Sequence, residues 1–193
     1  MNKIIIFLLS VVTLCLLAQL SLRFEVDGLQ YSRQAIGEGQ WWRFITGNFV
    51  HLSWRHFAMN IIALGAIYAL YPNNLNAKSW LLVLLLCALS VTLGIWIFSP
   101  DIHWYVGLSG ALHGLLVTLL IIDYVEHKHV LNILLLLGVI AKLIWEGMMG
   151  PMPGSESTAG GPIVVQAHLY GFVGGVLISV CIGICNKNKK LAL

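Results

Sequence analysis

Ser109, His168, His56 and Asn60 are polar groups set among long apolar runs. A hydroxyl nucleophile, an imidazole base and two further donors are the parts required for acyl transfer. Polar side chains are costly inside a bilayer, so each is a functional candidate by default. His56 and Asn60 are four residues apart and share a helix face. Counting from the outer ends of their helices puts His56 about 6 Å in, Asn60 about 12 Å in and His168 about 8 Å in. Ser109 would open a helix, where its backbone N–H is free to point at an oxyanion. With no carboxylate near these residues in the pattern, a Ser109–His168 dyad is expected, not a triad.

The elements that must position them are read from composition. Of 193 residues, 59% are hydrophobic and 10% charged, against about 25% charged in soluble domains. Mean hydropathy is +0.86, which places the chain in the membrane class. The net charge of +3 comes without a basic, aromatic-interleaved stripe, so nucleic acid is dropped as a partner. Six apolar spans are expected, at Ile4–Leu22, Leu52–Tyr71, Ser79–Phe98, Leu108–Ile122, His129–Met149 and Ile163–Cys185, in one all-α transmembrane domain over 1–193. The first is read as a retained helix because no small-residue cleavage site follows it.

The fourth span is short. If Asp123 ends it, Ser109 to Ile122 covers about 21 Å, less than the core of about 30 Å. The helix should then start below the outer surface, with the segment before it dipping inward, as irregular backbone can where it is buried in protein or lines a cavity. Gly107, Gly110 and Gly114 flank the serine, and Gly171, Gly174 and Gly175 follow His168. Such small residues let helix backbones approach.

Lys3, Lys78, Lys128, Lys187, Lys189 and Lys190 fall on one side, and the loops at 99–107 and 150–162 on the other carry no lysine or arginine. This favours both termini inside, against the bias of Arg23, Arg33, Arg43 and Arg55 in the first outer loop. That loop, with Trp41, Trp42 and Phe44, is expected on the membrane surface.

Other polar residues have plainer readings. His113, four after Ser109, is a rival base but lies deeper on the same helix. His51 and His103 are expected as wet loop groups, and His127 and His129 as solvated groups at the inner turn. Lys142 and Glu146 read as a local ion pair with Lys142 snorkelling, or else as a contact to substrate or headgroup. The loop GPMPGSESTAGGP is flexible enough to gate a cavity. Cys15, Cys87, Cys181 and Cys185 lie in apolar stretches and read as packing residues.

Four motifs carry a resemblance. GLSG at 107–110, AHLYG at 167–171, HFAMN at 56–60 and Trp42-Arg43 occur in the order found in rhomboid intramembrane proteases. The chain resembles that family over nearly its whole length. GLSGALHG and VVQAHLYG look most like the rhombosortase subfamily, whose members are thought to process proteins with a Gly-Gly C-terminal sorting tail.

The resemblance implies a rhomboid-like six-helix bundle and an intramembrane serine endopeptidase. Ser109 would be the nucleophile, His168 the base, and His56 and Asn60 oxyanion donors, supported by Trp42, Arg43, Gly107, Gly110 and Gly171. No metal or organic cofactor is implied. The expected partners are the lipid bilayer and a transmembrane substrate with a C-terminal helical anchor. The expected location is a bacterial inner membrane, with the site open to the outer side. Three alternatives stand beside this: a general rhomboid protease with other substrates, a haem or transport protein ligating through His56 and His168, and a non-catalytic rhomboid-like interaction protein.

Overall fold

The computed structural model describes residues 3–22 and 28–191, with side chains over 5–20 and 28–184. Arg23 and the side chains of Lys3, Cys185, Lys187, Lys189 and Lys190 lie outside the described residues. In chain order the elements are α1 (Lys3–Leu22), β1 (Tyr31–Ser32), α2 (Arg33–Gly37), α3 (Arg43–Thr46), a 3-10 turn (Gly47–Phe49), α4 (Trp54–Leu70) and α5 (Ala77–Phe98). Then follow β2 (Trp104–Tyr105), α6 (Ser109–His127), α7 (Val130–Met149), α8 (Ser155–Ala159) and α9 (Gln166–Leu191).

The protein is an all-α membrane bundle. Residues Ala77–Phe98, Ser109–His127, Val130–Met149 and Gln166–Ile184 are each long and apolar enough to cross a bilayer. With the apolar α1 and the 17-residue α4 they make the six long helices among the described residues. Caps set the starts. The Ser53 hydroxyl accepts from the His56 N–H to open α4, and Asn76 does the same for Ser79 at α5.

α6 is the central element. Ten of its residues are buried, among them Gly110, Gly114, Leu115, Leu119 and Leu120. It packs on α9 through glycines. A Cβ on Gly110 would come within 2.7 Å of the Ala167 carbonyl oxygen. One on Gly171 or Gly175 would strike the Gly110 or Gly114 carbonyl. Only residues without side chains allow so close a crossing. α5 closes the other side, with Ser90 against Gly174 and Gly94 against the Tyr170 ring.

α7 is built the opposite way round. Many of its apolar residues face outward, Leu135 and Leu136, partly buried, pack against the core, and the buried residues are Asn132 and Glu146. These two are 14 positions apart, about 21 Å along the axis, so α7 carries one buried polar side chain near each end. At its start, Asn132 donates to Asp123 at 2.7 Å and accepts from the Tyr71 hydroxyl at 2.7 Å.

Asp123 does not end α6, contrary to the sequence reading. The helix runs on through it to His127 and stops at Lys128, which takes the left-handed conformation at φ 58°. Asp123 is tolerated inside because each oxygen accepts two hydrogen bonds, from Asn74 and His127 on one and from Asn132 and His129 on the other. The nineteen residues of α6 span about 28 Å, so its shortness no longer argues for the depth of Ser109.

The first loop is pinned to the bundle more firmly than a surface-lying segment. Trp41 and Trp42 are exposed, but Phe44 packs between Tyr31 and Trp96. The Arg33 guanidinium donates to the carbonyls of Ile95, Trp96, Ser99 and Ile102 at 2.8–3.2 Å. These include the carbonyls of Ile95 and Trp96 in the last turn of α5, of which Ile95 also accepts from the capping Ser99 N–H. Arg43, buried, donates to the Gln30 carbonyl and the Gln40 side chain. A two-residue antiparallel ladder, Tyr31 opposite Tyr105 and Ser32 opposite Trp104, ties the loop to the segment preceding Ser109. That segment's end, Tyr105 to Leu108, is buried in protein.

Candidate active site

Ser109 is the first residue of α6, so no carbonyl lies one turn back for its N–H to bond within the helix. His168 sits in the first turn of α9, and the glycine crossing beside it brings the two together. Ser109 Oγ is 3.0 Å from His168 Nε2, hydrogen-bond distance for a hydroxyl and an imidazole nitrogen.

His56 and Asn60 face the same space from α4. The Leu52 backbone N–H lies 3.4 Å from His56 Nδ1, aimed to donate. A ring accepting there carries its proton on Nε2, which makes it a donor toward the cavity. Asn60 donates one amide hydrogen to the His56 carbonyl at 3.2 Å and has a second to offer. Gly107 lies against the His56 ring at φ 128°, with a Cβ position only 2.8 Å from the ring. Both the conformation and the space demand glycine.

These groups line a cavity of about 330 Å³ with Met59, Tyr105, Pro162 and Ile163 on its apolar walls. The loop at 150–162 covers it through Met152, Ser155 and Ala159. That loop is anchored where the Ser53 hydroxyl, besides capping α4, donates to the Ala159 carbonyl at 2.7 Å.

His113, the rival base, is otherwise engaged. Its Nδ1 donates to the Ser109 carbonyl at 2.8 Å, and its ring stacks on His168 at 4.4 Å between centroids. It packs His168 into place. His51, expected as a wet loop group, is fully buried, edge-on to His56 and Phe57. Burial, with the His56 ring beside it, pushes its pKa down to about 3, so it is neutral near pH 7. His103 is exposed, as are His127 and His129. Trp42 and Arg43 stay in the first loop, where Trp42 Nε1 donates to the Gly28 carbonyl at 2.9 Å. Cys15 and Cys87 are buried, and Cys181 is exposed.

The residue that sequence reasoning misplaced is Glu146. The expectation that no carboxylate lies near the pair is overturned: Glu146 Oε2 is 2.8 Å from His168 Nδ1. Its other oxygen accepts from Lys142 at 2.7 Å. The ion pair is present, but it points inward, with the Glu146 side chain 4% exposed and Lys142 31%. A lone acid–base pair at i, i+4 in an apolar helix was the available signal. What it lacked was the rotation of α7. Both nitrogens of His168 are thus engaged, and so is Nδ1 of His56, which gives paired histidine ligation of haem no support.

The model of the "Rhomboid domain" family matches residues 38–184. Among curated proteins, the chain is 24% identical over 149 residues to Rhomboid protease GluP of Bacillus subtilis, covering 77% of this chain and 27% of that protein. It is also 25% identical over 162 residues to YdcA of B. subtilis, whose name likewise refers to a rhomboid protease, covering 80% of this chain and 72% of YdcA. The chain therefore spans about a quarter of the length of GluP and most of YdcA.

Proposed function

The chain belongs to the rhomboid family, and from that premise we propose that it is an intramembrane serine endopeptidase acting through Ser109 and His168. The observation that carries the reading is the 3.0 Å approach of Ser109 Oγ to His168 Nε2 inside a cavity walled by helices. His168 takes the hydroxyl proton as Oγ attacks the scissile carbonyl carbon. The tetrahedral oxyanion is met by the Ser109 N–H, His56 Nε2–H and the Asn60 amide. The imidazolium then protonates the leaving amine, and water hydrolyses the acyl-enzyme by the same route in reverse.

The substrate in this reading is a protein anchored by one C-terminal helix and cut near the helix's outer end. The chain sits in a bacterial inner membrane as one transmembrane domain, with both termini cytoplasmic and the cavity open outward. A peptide bond inside a helix must unwind to reach Ser109. Glycine lowers that cost by about 1 kcal/mol per residue relative to Ala, so a Gly-Gly junction suits the narrow cleft. This supports rhombosortase-type processing of Gly-Gly sorting tails, the acyl group passing to water or to an amine.

The test uses purified protein in lipid, a fluorophosphonate probe, and a single-span substrate with Gly-Gly at the outer end of its anchor. Labelling at Ser109 and cleavage beside the glycines, read by mass spectrometry, are expected. Labelling elsewhere, or cleavage at the cytoplasmic end, overturns the protease or the substrate assignment respectively. Equal cleavage after the glycines become leucines leaves a general rhomboid protease.

A further inference from the structure

Five polar side chains face His168: Ser109 and His113 from α6, His56 from α4, and Lys142 and Glu146 from α7. The two from α7 compete for one nitrogen. Glu146 Oε2 is 2.8 Å from Nδ1, and Lys142 Nζ is 3.2 Å from the same atom. An ionised carboxylate only accepts and an ammonium only donates. Whichever holds Nδ1 therefore decides the tautomer. With Glu146, Nδ1 carries the proton and Nε2 turns a lone pair to Ser109. With Lys142, Nδ1 accepts, Nε2 carries the proton, and the base is blocked.

We propose that Glu146 is the positioning residue of this site: clamped by Lys142, its carboxylate holds the Nδ1–H tautomer of His168 and makes a Ser109–His168–Glu146 triad. The geometry favours Glu146, whose contact is the shorter and whose oxygen is the only acceptor of the two. Lys142 is occupied in turn by Oε1 at 2.7 Å, which supplies the opposite charge a buried carboxylate needs. When Ser109 Oγ–H gives its proton to Nε2, the Nδ1 proton stays in place. The imidazolium so formed then faces a negative charge. The other buried residue of α7 is Asn132, near its start.

The inference rests on Ser109 and His168 being the reacting pair, so its test has a readout that needs no activity. In a Glu146→Gln variant, Lys142 still requires an acceptor and holds the amide oxygen. The amide NH₂ then faces Nδ1 and forces the wrong tautomer. Solid-state NMR of 15N-histidine-labelled protein in lipid reads the tautomer, with His168 identified by loss of its signals in His168→Asn. Wild type should show Nδ1–H, and Glu146→Gln should show Nε2–H. In cleavage assays Glu146→Gln should lower kcat by about 10²–10⁴-fold with KM little changed, as a wrong tautomer does in other serine proteases. Glu146→Asp should recover part of the loss. Adding Lys142→Met to Glu146→Gln frees the amide to flip and should restore at least about tenfold. An Nε2–H tautomer in wild type overturns the proposal whether or not any variant folds. So does Glu146→Gln with an unchanged tautomer or wild-type kcat. If wild type neither cleaves nor labels, the protease reading fails and the tautomers alone judge the role of Glu146.

Discussion

Gly110 and Gly171 meet backbone to backbone: a Cβ on Gly171 would overlap the Gly110 carbonyl. Gly110 follows Ser109 directly and Gly171 lies three residues beyond His168. The spacing of Ser109 and His168 is therefore set by a helix crossing that admits no side chain.

Gly171→Ala should push α9 from α6 and cost about 1–3 kcal/mol, as overpacking does. Fluorophosphonate labelling of Ser109 should fall with it. Gly138 has open space around its Cβ position, so Gly138→Ala serves as the control. Equal melting temperatures and labelling rates for the two variants would show that the crossing does not hold the site.

Ser109→Ala and His168→Ala should each lower cleavage by at least about 10³-fold, because nucleophile and base act as a unit. His113→Ala should fall far less. It loses a ring stack worth about 0.5–1.5 kcal/mol, or about tenfold at most in rate. A dead His113→Ala beside a working His168→Ala would reverse the roles.

His56→Ala and Asn60→Ala should slow single-turnover cleavage by about 10²-fold each, the usual scale for one oxyanion donor, leaving KM nearly unchanged. Gly107→Ala should mimic His56→Ala, since the added methyl displaces the His56 ring. If KM rises while the single-turnover rate holds, these residues bind substrate and do not stabilise the oxyanion.

Arg33→Ala should destabilise the protein by about 1.5–3 kcal/mol, the range for hydrogen bonds to a charged donor, by removing its hydrogen bonds to the carbonyls at the end of α5 and in the turn after it. Arg33→Lys should recover little, because one ammonium cannot reproduce the guanidinium fork. Thermal melting in detergent decides it, and full recovery by lysine would show that charge alone matters there.

Much was legible in the chain itself. Apolar runs long enough to cross a bilayer are a local property, so α5 and α7 begin and end within two residues of where hydropathy puts them, while α9 starts three residues later than expected and runs six further. The glycines around Ser109 and His168 announced a close crossing because four-residue spacing lines small residues along one helix face. The orientation of α7 was not legible. Lys142 and Glu146 pair at i, i+4 whether their face meets lipid or protein, and only the docking of α7 turns the carboxylate onto His168. Asp123 misled for a similar reason. A carboxylate in an apolar helix reads as its end, yet four donors from α6, α7 and the two inner turns satisfy it in place. Sequence determines which side chains can ionise or donate and how far apart they lie on one helix. Which of them meet across helices depends on the rotation and depth at which each helix packs, a balance of contacts far apart in the chain.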